Sequence, residues 1–220
     1  MAENRAVVAI EEKQTALGKL NVGVAGCHAC PLGTQRTHAV PGEGPVDAEI
    51  MLVGEAPGYY EDQQGRPFVG AAGQFLEQLL TSIGLKRTDV FIGNVIKCRP
   101  PGNRDPLPEE IIACSHWLGE QFEIIRPRVV VTLGRYSLAR FIPGTPIGKV
   151  HGQGRKINDI WVVPMYHPAA ALHQGSLRKT IEDDFRKIPA YLEQARKDPM
   201  RQELAPATPA EPEPAQMKLF

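Results

Sequence analysis

The sequence predicts an α/β fold: a three-layer α/β/α sandwich around a central, mostly parallel four-stranded sheet. Apolar segments that fit buried strands alternate along the chain with segments whose apolar residues recur at helical spacing. The most distinctive loops follow these strands, and parallel sheets bind ligands beyond the carboxyl ends of their strands. We therefore expect one functional site at one edge of the sheet.

Four apolar segments predict the four strands. Each is short, rich in valine, isoleucine and leucine, and bounded by turn residues; the segments are residues 49–54, 90–96, 128–133 and 160–165. The loops GEAPG, KCRPPGNR and YHPAAAL follow the first, second and fourth segments. Because the carboxyl ends of parallel strands lie at the same edge, these three loops are expected to meet there.

Helices are predicted before, between and after these strands. A short helix fits residues 11–22, and a second ends at Gly84, a typical helix terminator. A third begins near Pro108, because proline is favoured in the first turn of a helix. The last predicted helix carries four apolar residues on one face, Ile181, Phe185, Ile188 and Leu192.

The composition fits a globular domain with a polar tail. The 220 residues have a formal net charge of zero, no run approaches the ~20 apolar residues that span a bilayer, and the N-terminus lacks the apolar core of a secretory signal. We expect a cytoplasmic protein, monomeric by default. Residues 1–197 form the predicted domain and residues 198–220 a disordered tail, since residues 205–215 hold four prolines and no large apolar side chain.

The four cysteines, Cys27, Cys30, Cys98 and Cys114, predict a metal or cluster site. A reducing cytosol disfavours disulfides, and four thiolates can hold a zinc ion or a [4Fe–4S] cluster. A zinc ribbon usually has two C-x-x-C pairs, whereas this chain has one, so a cluster is favoured. Ligation by His28 in place of one cysteine, or four buried free cysteines, remain as alternatives.

Polar residues near the strand ends are the candidate binding and catalytic groups. Asn94 lies in an apolar strand, where its amide needs partners and presents the donor and acceptor that match a base edge. His167 ends the fourth strand, although a lone histidine is often only structural. The loop GEAPG and the acids Glu61 and Asp62 after it fit either a ligand site or a solvated turn.

Basic residues cluster near the same loops, which predicts a surface that holds phosphates. Each of them alone fits an ordinary solvated charge; the clusters are Lys97, Arg99 and Arg104, then Lys149, Arg155 and Lys156, and finally Arg178 and Lys179.

These segments together resemble family 4 uracil-DNA glycosylases over roughly residues 20–195. The segments are GEAPGYYEDQQGRPFVGAAG, GNVIKCRP and YHPAAAL, with the four cysteines interleaved. The resemblance implies a uracil-DNA glycosylase fold and a structural [4Fe–4S] cluster on Cys27, Cys30, Cys98 and Cys114. It also implies an enzyme that hydrolyses the N-glycosidic bond of uracil in single- or double-stranded DNA and leaves an abasic site for base excision repair.

The resemblance also assigns roles in binding a uracil that has left the base stack. Phe68 is expected to stack on the base, and Asn94 to read its polar edge and so distinguish it from cytosine. Glu61 is expected to crowd the C5 side against thymine, and the backbone of Ala56 to contact uracil.

For catalysis, the resemblance gives His167 a hydrogen bond to the uracil oxygen as the bond breaks. Glu55 is expected to orient a water molecule and to favour the cation-like sugar. The monomeric family that has no cluster carries an aspartate as the water activator in this motif, and this chain has none there.

Four residues are expected to contact DNA outside the base pocket. Leu172 is the expected apolar wedge that fills the gap in the stack, and Arg99, Arg104 and Arg178 are expected to hold the phosphate backbone. Both the wedge and the arginines follow or flank the distinctive loops.

An alternative function is a uracil-DNA binding protein that traps its target covalently or without turnover. A related group does so through a histidine in an inserted basic loop, and it has glutamine where Ala56 stands. Here the loop is the short RPPGNRDP, without histidine, which favours turnover. A third interpretation is a cysteine-ligated metalloprotein that acts on another small ligand, although no dinucleotide fingerprint supports it.

The C-terminus resembles the pentapeptide by which bacterial proteins bind the sliding clamp. Gln216, Met217, Leu219 and Phe220 match its pattern of glutamine, aliphatic residue and Leu-Phe. A flexible linker that ends in apolar anchors suits binding in a pocket, although short motifs also occur by chance.

Overall fold

The computed structural model describes residues 2–198, and the side chains of residues 9–198. In this part of the chain, helices surround one five-stranded sheet. The strands are β1 (Ile50–Gly54), β2 (Phe91–Asn94), β3 (Val129–Leu133), β4 (Arg155–Ile157) and β5 (Ile160–Met165). The helices are α1 (Ala2–Gly26), α2 (Leu32–Gln35), α3 (Tyr59–Gln64), α4 (Ala71–Ser82), α5 (Pro108–Ile125), α6 (Arg135–Phe141), α7 (Ile147–Val150), α8 (Pro168–His173), α9 (Leu177–Phe185) and α10 (Ile188–Lys197).

The sheet confirms the predicted fold class and adds one strand. The strand order is β2-β1-β3-β5-β4, with every neighbouring pair parallel except β5 and β4. The four parallel strands are the four that the apolar segments predict. The sequence pattern missed β4 because this edge strand has three residues, of which Arg155 and Lys156 are exposed. Lys156 forms an ion pair with Asp198, so its charge has a partner within the protein.

Helices cover both faces of the sheet because alternate residues of each strand point to opposite sides. On one side, Ile50 and Leu52 of β1 join a core with residues of α4, α9 and α10. On the other side, Met51 and Val53 join a second core with residues of α1 and α5. The second core includes Cys98 and Cys114.

Two helix predictions need correction. The predicted helix at residues 11–22 is longer and runs from Ala2 to Gly26. The predicted last helix is two helices, α9 and α10, and Pro189 lies in the first turn of α10. Proline has no N–H to donate and clashes inside a helix, so a continuous helix through this point is disfavoured.

Nothing in residues 2–198 forms a helix long and apolar enough to cross a membrane. The predicted tail begins at residue 198, and from residue 199 onward, with Gln216, Met217, Leu219 and Phe220, it lies outside the described residues.

Candidate functional site

The three loops that follow β1, β2 and β5 meet at one edge of the sheet and form a cleft of about 350 Å³. Ligand clefts in α/β proteins are common at this edge. The cleft brings together seven of the residues singled out in the sequence: Glu55, Ala56, Glu61, Phe68, Asn94, Arg104 and His167. Arg99, Leu172 and Arg178 do not line it.

Gly54 lies where Asn94 and Phe68 approach each other. A methyl group at position 54 would clash with the Asn94 Oδ1 atom and stand 2.7 Å from the Phe68 Cζ atom. Glycine at the end of β1 therefore allows the amide and the aromatic ring to come close together.

Asn94 presents a buried acceptor without a partner. The side chain is 2% exposed, and its Oδ1 atom has no hydrogen-bond partner among the described residues. Leaving a buried acceptor unpaired costs about 1–3 kcal/mol. Since Asn94 lines the cleft, a ligand that brings a donor to this acceptor would remove that cost.

Lys97 supports the end of β2 from behind. Its ammonium group is buried and donates to the Asn94 carbonyl (2.9 Å) and to Gln121 Oε1 (2.7 Å). Burial lowers the pKa of Lys97 to about 8, and the negative charge of an ionised Cys114 opposes this shift. The sequence grouped Lys97 with the phosphate-binding arginines. That grouping is wrong, because a side chain that is 1% exposed cannot reach a phosphate.

The Phe68 backbone has a left-handed conformation, with φ at 51°. Such a conformation is uncommon for a large side chain, so surrounding contacts must hold it. The Arg87 guanidinium donates to the Phe68 carbonyl (3.0 Å) and to the Pro67 carbonyl. Glu43 accepts from Arg87 Nε (2.5 Å) and so fixes the guanidinium. The sequence did not single out Glu43 or Arg87.

Glu61 holds the same loop from the other side. Its Oε1 atom accepts hydrogen bonds from the backbone N–H groups of Val69 (2.8 Å) and Gly70 (2.9 Å). The neighbouring Asp62 is buried and accepts from the Thr37 N–H (2.9 Å). The two acids therefore tie α3 to two different segments, which the sequence left open.

His167 precedes α8, and its ring nitrogens have distinct roles. The Nδ1 atom accepts the N–H of Ala169 (3.1 Å), which leaves the proton of the neutral ring on Nε2. Desolvation lowers the pKa of His167 to about 4, and the charge of Glu61 opposes this shift. The His167 and Phe68 rings face each other with centroids 5.5 Å apart and planes 26° apart. The cleft therefore holds a neutral N–H donor near neutral pH.

Glu55 is fixed at the start of α6. Its Oε1 atom accepts the N–H of Tyr136 (2.9 Å). Gly134 has φ at 101° and leaves no room for a side chain beside this carboxylate. Burial raises the pKa of Glu55, while the Tyr136 hydrogen bond and the charge of Arg135 oppose this shift.

The residues expected to contact DNA are all at least partly exposed. Arg99 lies over the Tyr59 ring and donates to Asn103 Oδ1 (2.6 Å). Arg104 forms an ion pair with Glu110 (2.6 Å), and Arg178 with Glu182 (3.1 Å), so both already have a carboxylate partner. Leu172 is 50% exposed on α8, as a wedge must be. Arg135, which the sequence did not single out, is an exposed arginine beside Glu55. It forms an ion pair with Asp105, which lines the cleft.

The four cysteines line one cavity between α1, α5 and the loop after β2. Among residues 9–198, no three His, Cys, Asp or Glu side chains form a group that could hold a metal ion. His28 is exposed and bonded to the Gly26 carbonyl, and it does not line this cavity, which argues against it as a replacement ligand.

Two of the cysteine sulfur atoms in this cavity accept hydrogen bonds. Arg36 donates to Cys98 Sγ (2.9 Å), and the Lys97 N–H donates to Cys114 Sγ (3.3 Å). Burial raises the pKa of Cys98, and it raises the pKa of Cys114 to about 11. Without a cation these two thiols are therefore protonated at neutral pH, and a metal would have to displace their protons.

The sequence has relatives among characterised families. The sequence model of the uracil DNA glycosylase superfamily matches residues 41–193. A type-4 uracil-DNA glycosylase of Sulfurisphaera tokodaii is 51% identical over 183 residues, which cover 79% of this chain and 83% of the relative. A type-4 uracil-DNA glycosylase of Thermotoga maritima is 45% identical, with 77% of this chain and 91% of the relative covered. A type-5 uracil-DNA glycosylase of Pyrobaculum aerophilum is 35% identical, with 65% of this chain and 70% of the relative covered.

Proposed function

Since the chain belongs to the uracil DNA glycosylase superfamily, we propose that it removes uracil from DNA and leaves an abasic site, the first step of base excision repair. The observation that carries this proposal is the buried, unpaired Oδ1 of Asn94 beside Phe68 at the glycine end of β1. The type-4 relatives, whose names state this activity, cover most of the chain.

The base is recognised after it has left the stack and entered the cleft. Phe68 offers a ring face for stacking. Uracil has an N–H at N3 and a carbonyl at C4, so Asn94 can accept from the first and donate to the second. Cytosine has an acceptor at N3 and an amino group at C4, so it would leave the Asn94 acceptor unpaired against N3.

Two roles of the loop residues follow from their contacts. The Glu61 carboxylate accepts two N–H groups beyond Phe68, so it positions the loop that carries the ring. We propose that it also narrows the C5 side of the pocket against the methyl group of thymine. The backbone of Ala56, which lines the cleft, is proposed to contact the base.

Catalysis breaks the bond between uracil N1 and the sugar C1′ atom, and the bonding electrons leave with uracil. The neutral His167 donates its Nε2–H to the uracil O2 atom and stabilises the negative charge that develops there. The Glu55 carboxylate stabilises the cation-like sugar and orients a water molecule. The water oxygen bonds to C1′, and its proton passes to solvent or to the departing base.

We propose that Cys27, Cys30, Cys98 and Cys114 hold a [4Fe–4S] cluster. Four thiols around one cavity, with a guanidinium and a backbone N–H directed at two sulfur atoms, suit a negatively charged group that four thiolates bind. When bound, the cluster supplies a cross-link between the end of α1, the loop after β2 and α5. The hydrolysis needs no electron transfer, so this role is structural.

We propose further partners on the basis of the sequence. Leu172, Arg99, Arg104 and Arg178 are proposed to contact the DNA around the flipped base, as their exposure allows. Residues 198–220 are proposed to be a linker whose last residues bind a sliding clamp. Deletion of residues 216–220 is expected to abolish clamp binding in calorimetry and to leave excision unchanged, and an unchanged clamp affinity would refute this role.

Release of free uracil from a labelled oligonucleotide with a single uracil tests the proposed function. Alkali treatment is expected to cut the strand at uracil and to leave matched cytosine and thymine controls intact. A protein–DNA band that survives denaturant would instead indicate a covalent binder. Neither cleavage nor such a band, from protein with its cluster bound, would contradict the proposal.

A further inference from the structure

Two exposed aromatic side chains stand beside the cleft and have no part in the proposed reaction. Tyr59 and Tyr60 are 51% and 59% exposed. They lie between Gly58 and Glu61, both of which line the cleft. Large aromatic rings dominate the energetics of binding surfaces, so a pair left in water beside a binding cleft points to a partner.

Both rings are backed by the protein. Arg99, from the loop after β2, places its guanidinium 5.1 Å from the centre of the Tyr59 ring. The two tyrosine rings meet edge to face, with centroids 5.4 Å apart and planes 80° apart. Tyr60 also lies over the loop of Phe68, because its Cδ2 atom is 3.4 Å from where a methyl group on Gly70 would stand.

These contacts hold the rings before any ligand binds, which lowers the entropy lost on binding. The support comes from both walls of the cleft: Arg99 belongs to the loop after β2, and Gly70 to the loop before α4. The position of the tyrosines is thus tied to the position of Phe68 and of the loop that leads away from Asn94.

We infer that Tyr59, Tyr60 and Arg99 form a stacking site for the nucleobase next to uracil on the same strand. Aromatic rings with an adjacent guanidinium are the surface that single-stranded nucleic acid uses for stacking. A base that has lost its neighbour to the cleft also has an uncovered face. The inference rests on the proposed function, because the neighbouring base is defined by the uracil in the cleft.

This site is separate from the expected wedge. Leu172 lies on α8, on the wall that carries His167, whereas the tyrosines lie on α3. Stacking on the tyrosines needs no opposite strand. The inference therefore predicts that their contribution is present on single-stranded DNA, where a wedge has no duplex gap to fill.

The test combines protein variants with DNA that lacks one base. We would measure kcat/KM for uracil release from three single-stranded oligonucleotides: one intact, one with a tetrahydrofuran abasic residue 5′ to uracil, and one with it 3′ to uracil. The proteins are the full chain, a double variant that combines Tyr59→Ala with Tyr60→Ala, and the Tyr59→Trp variant. Val22→Ala, which truncates a side chain that is 74% exposed on α1, is the control.

On intact DNA, Tyr59→Ala and Tyr60→Ala together are expected to lower kcat/KM at least about fivefold. Tyr59→Trp and Val22→Ala are expected to stay near wild type. On one of the two abasic oligonucleotides, kcat/KM of the wild type is expected to fall by the same factor relative to intact DNA. The kcat/KM of the double variant should be the same on this oligonucleotide as on intact DNA, because its stacking partner is already absent.

An equal loss for the double variant on all three oligonucleotides would overturn the inference, since a merely structural role of the rings does not depend on the neighbouring base. An absence of any loss on intact DNA would overturn it as well. Uracil release by the wild-type chain in the same assay checks the proposed function separately, so failure of the stacking site leaves that function standing.

Discussion

The cleft and the cysteine cavity are built on the same stretch of chain but differ in how Asn94 in the first and Cys98 and Cys114 in the second are partnered. Asn94 ends β2 and lines the cleft, and its buried Oδ1 acceptor has no partner among the described residues. Four residues later, Cys98 lines the cavity, and its sulfur already accepts a hydrogen bond from Arg36. The Cys114 sulfur likewise accepts the N–H of Lys97, which lies between the two sites.

This difference separates two kinds of site. An unpaired buried group costs stability, and a ligand that pairs with it removes that cost. In the cavity, two of the four cysteine sulfur atoms already accept hydrogen bonds from the protein, and the cavity joins the segments that form it. We therefore expect substitutions in the cleft to abolish uracil excision without lowering the stability of the fold. Substitutions in the cavity are expected to lower both excision and stability.

The largest loss of activity is expected from His167→Ala. Removing a donor that acts in the transition state costs about 100- to 1000-fold in kcat. Single-turnover kinetics would measure it, with His116→Ala, an exposed histidine on α5, as the matched control. A loss below about tenfold would mean that His167 is not the donor.

Cys114→Ala is expected to lower both stability and activity. Loss of one ligand would weaken the proposed cluster, whose binding energy would be part of the folding energy, and the unfolding temperature should fall by about 10 °C. Thermal unfolding, the iron content and the visible absorbance would be measured beside Ser115→Ala. Unchanged unfolding together with an unchanged iron content would contradict the cross-linking role.

The pH dependence of the excision rate is expected to follow the protonation of the Glu55 carboxylate. Because burial raises its pKa, the carboxylate is lost as the pH falls through a value above the usual 4.5, and the rate should fall there. His167 does not cause this loss, since its pKa near 4 keeps it neutral over that range. Glu55→Gln should excise at least about tenfold more slowly and with a flat profile.

The same shift fixes the sign of a stability effect. A raised folded-state pKa favours the fold below the unfolded pKa, and this contribution is lost as the pH rises through the folded value. Glu55→Gln is therefore expected to be no less stable than wild type at neutral pH. If the excision rate of Glu55→Gln still falls at low pH as it does in the wild type, Glu55 does not have the catalytic role.

A smaller effect is expected from Arg87→Ala. Without the guanidinium, the Phe68 and Pro67 carbonyls lose their donors and the left-handed conformation of Phe68 loses its support. We expect KM to rise about tenfold, with a smaller change in kcat, because stacking is impaired before chemistry. Arg87→Lys should not restore KM, because one ammonium cannot reproduce the planar fork. Arg140→Ala on α6 is the control, and an unchanged KM would refute the role.

The sequence predicted most of the fold because buried parallel strands are continuous apolar runs. The segments at β1, β2, β3 and β5 were visible on this ground. The edge strand β4 was not, since it pairs through its backbone while Arg155 and Lys156 remain exposed. Edge pairing leaves little trace in the apolar pattern.

The residues of the cleft were predictable where they follow strands. Glu55 comes directly after β1, His167 is the second residue after β5, and Asn94 is a polar residue inside an apolar run. The contacts by which Glu43 and Arg87 hold the Phe68 loop were not predictable from the sequence. The two residues are 44 positions apart, and neither stands in an unusual local pattern. Charge alone also misplaced Lys97, whose burial depends on its partners Gln121 and the Asn94 carbonyl.

Asn94→Leu most directly tests the claim that the cleft serves excision, whereas the cysteine cavity also serves stability. Leucine has a similar size and removes the unpaired acceptor, so the unfolding temperature should stay within about 3 °C of wild type or rise. Uracil excision should fall at least about 100-fold, with the iron content unchanged. Excision within about threefold of wild type would contradict the account, because the cleft would then not recognise uracil through Asn94.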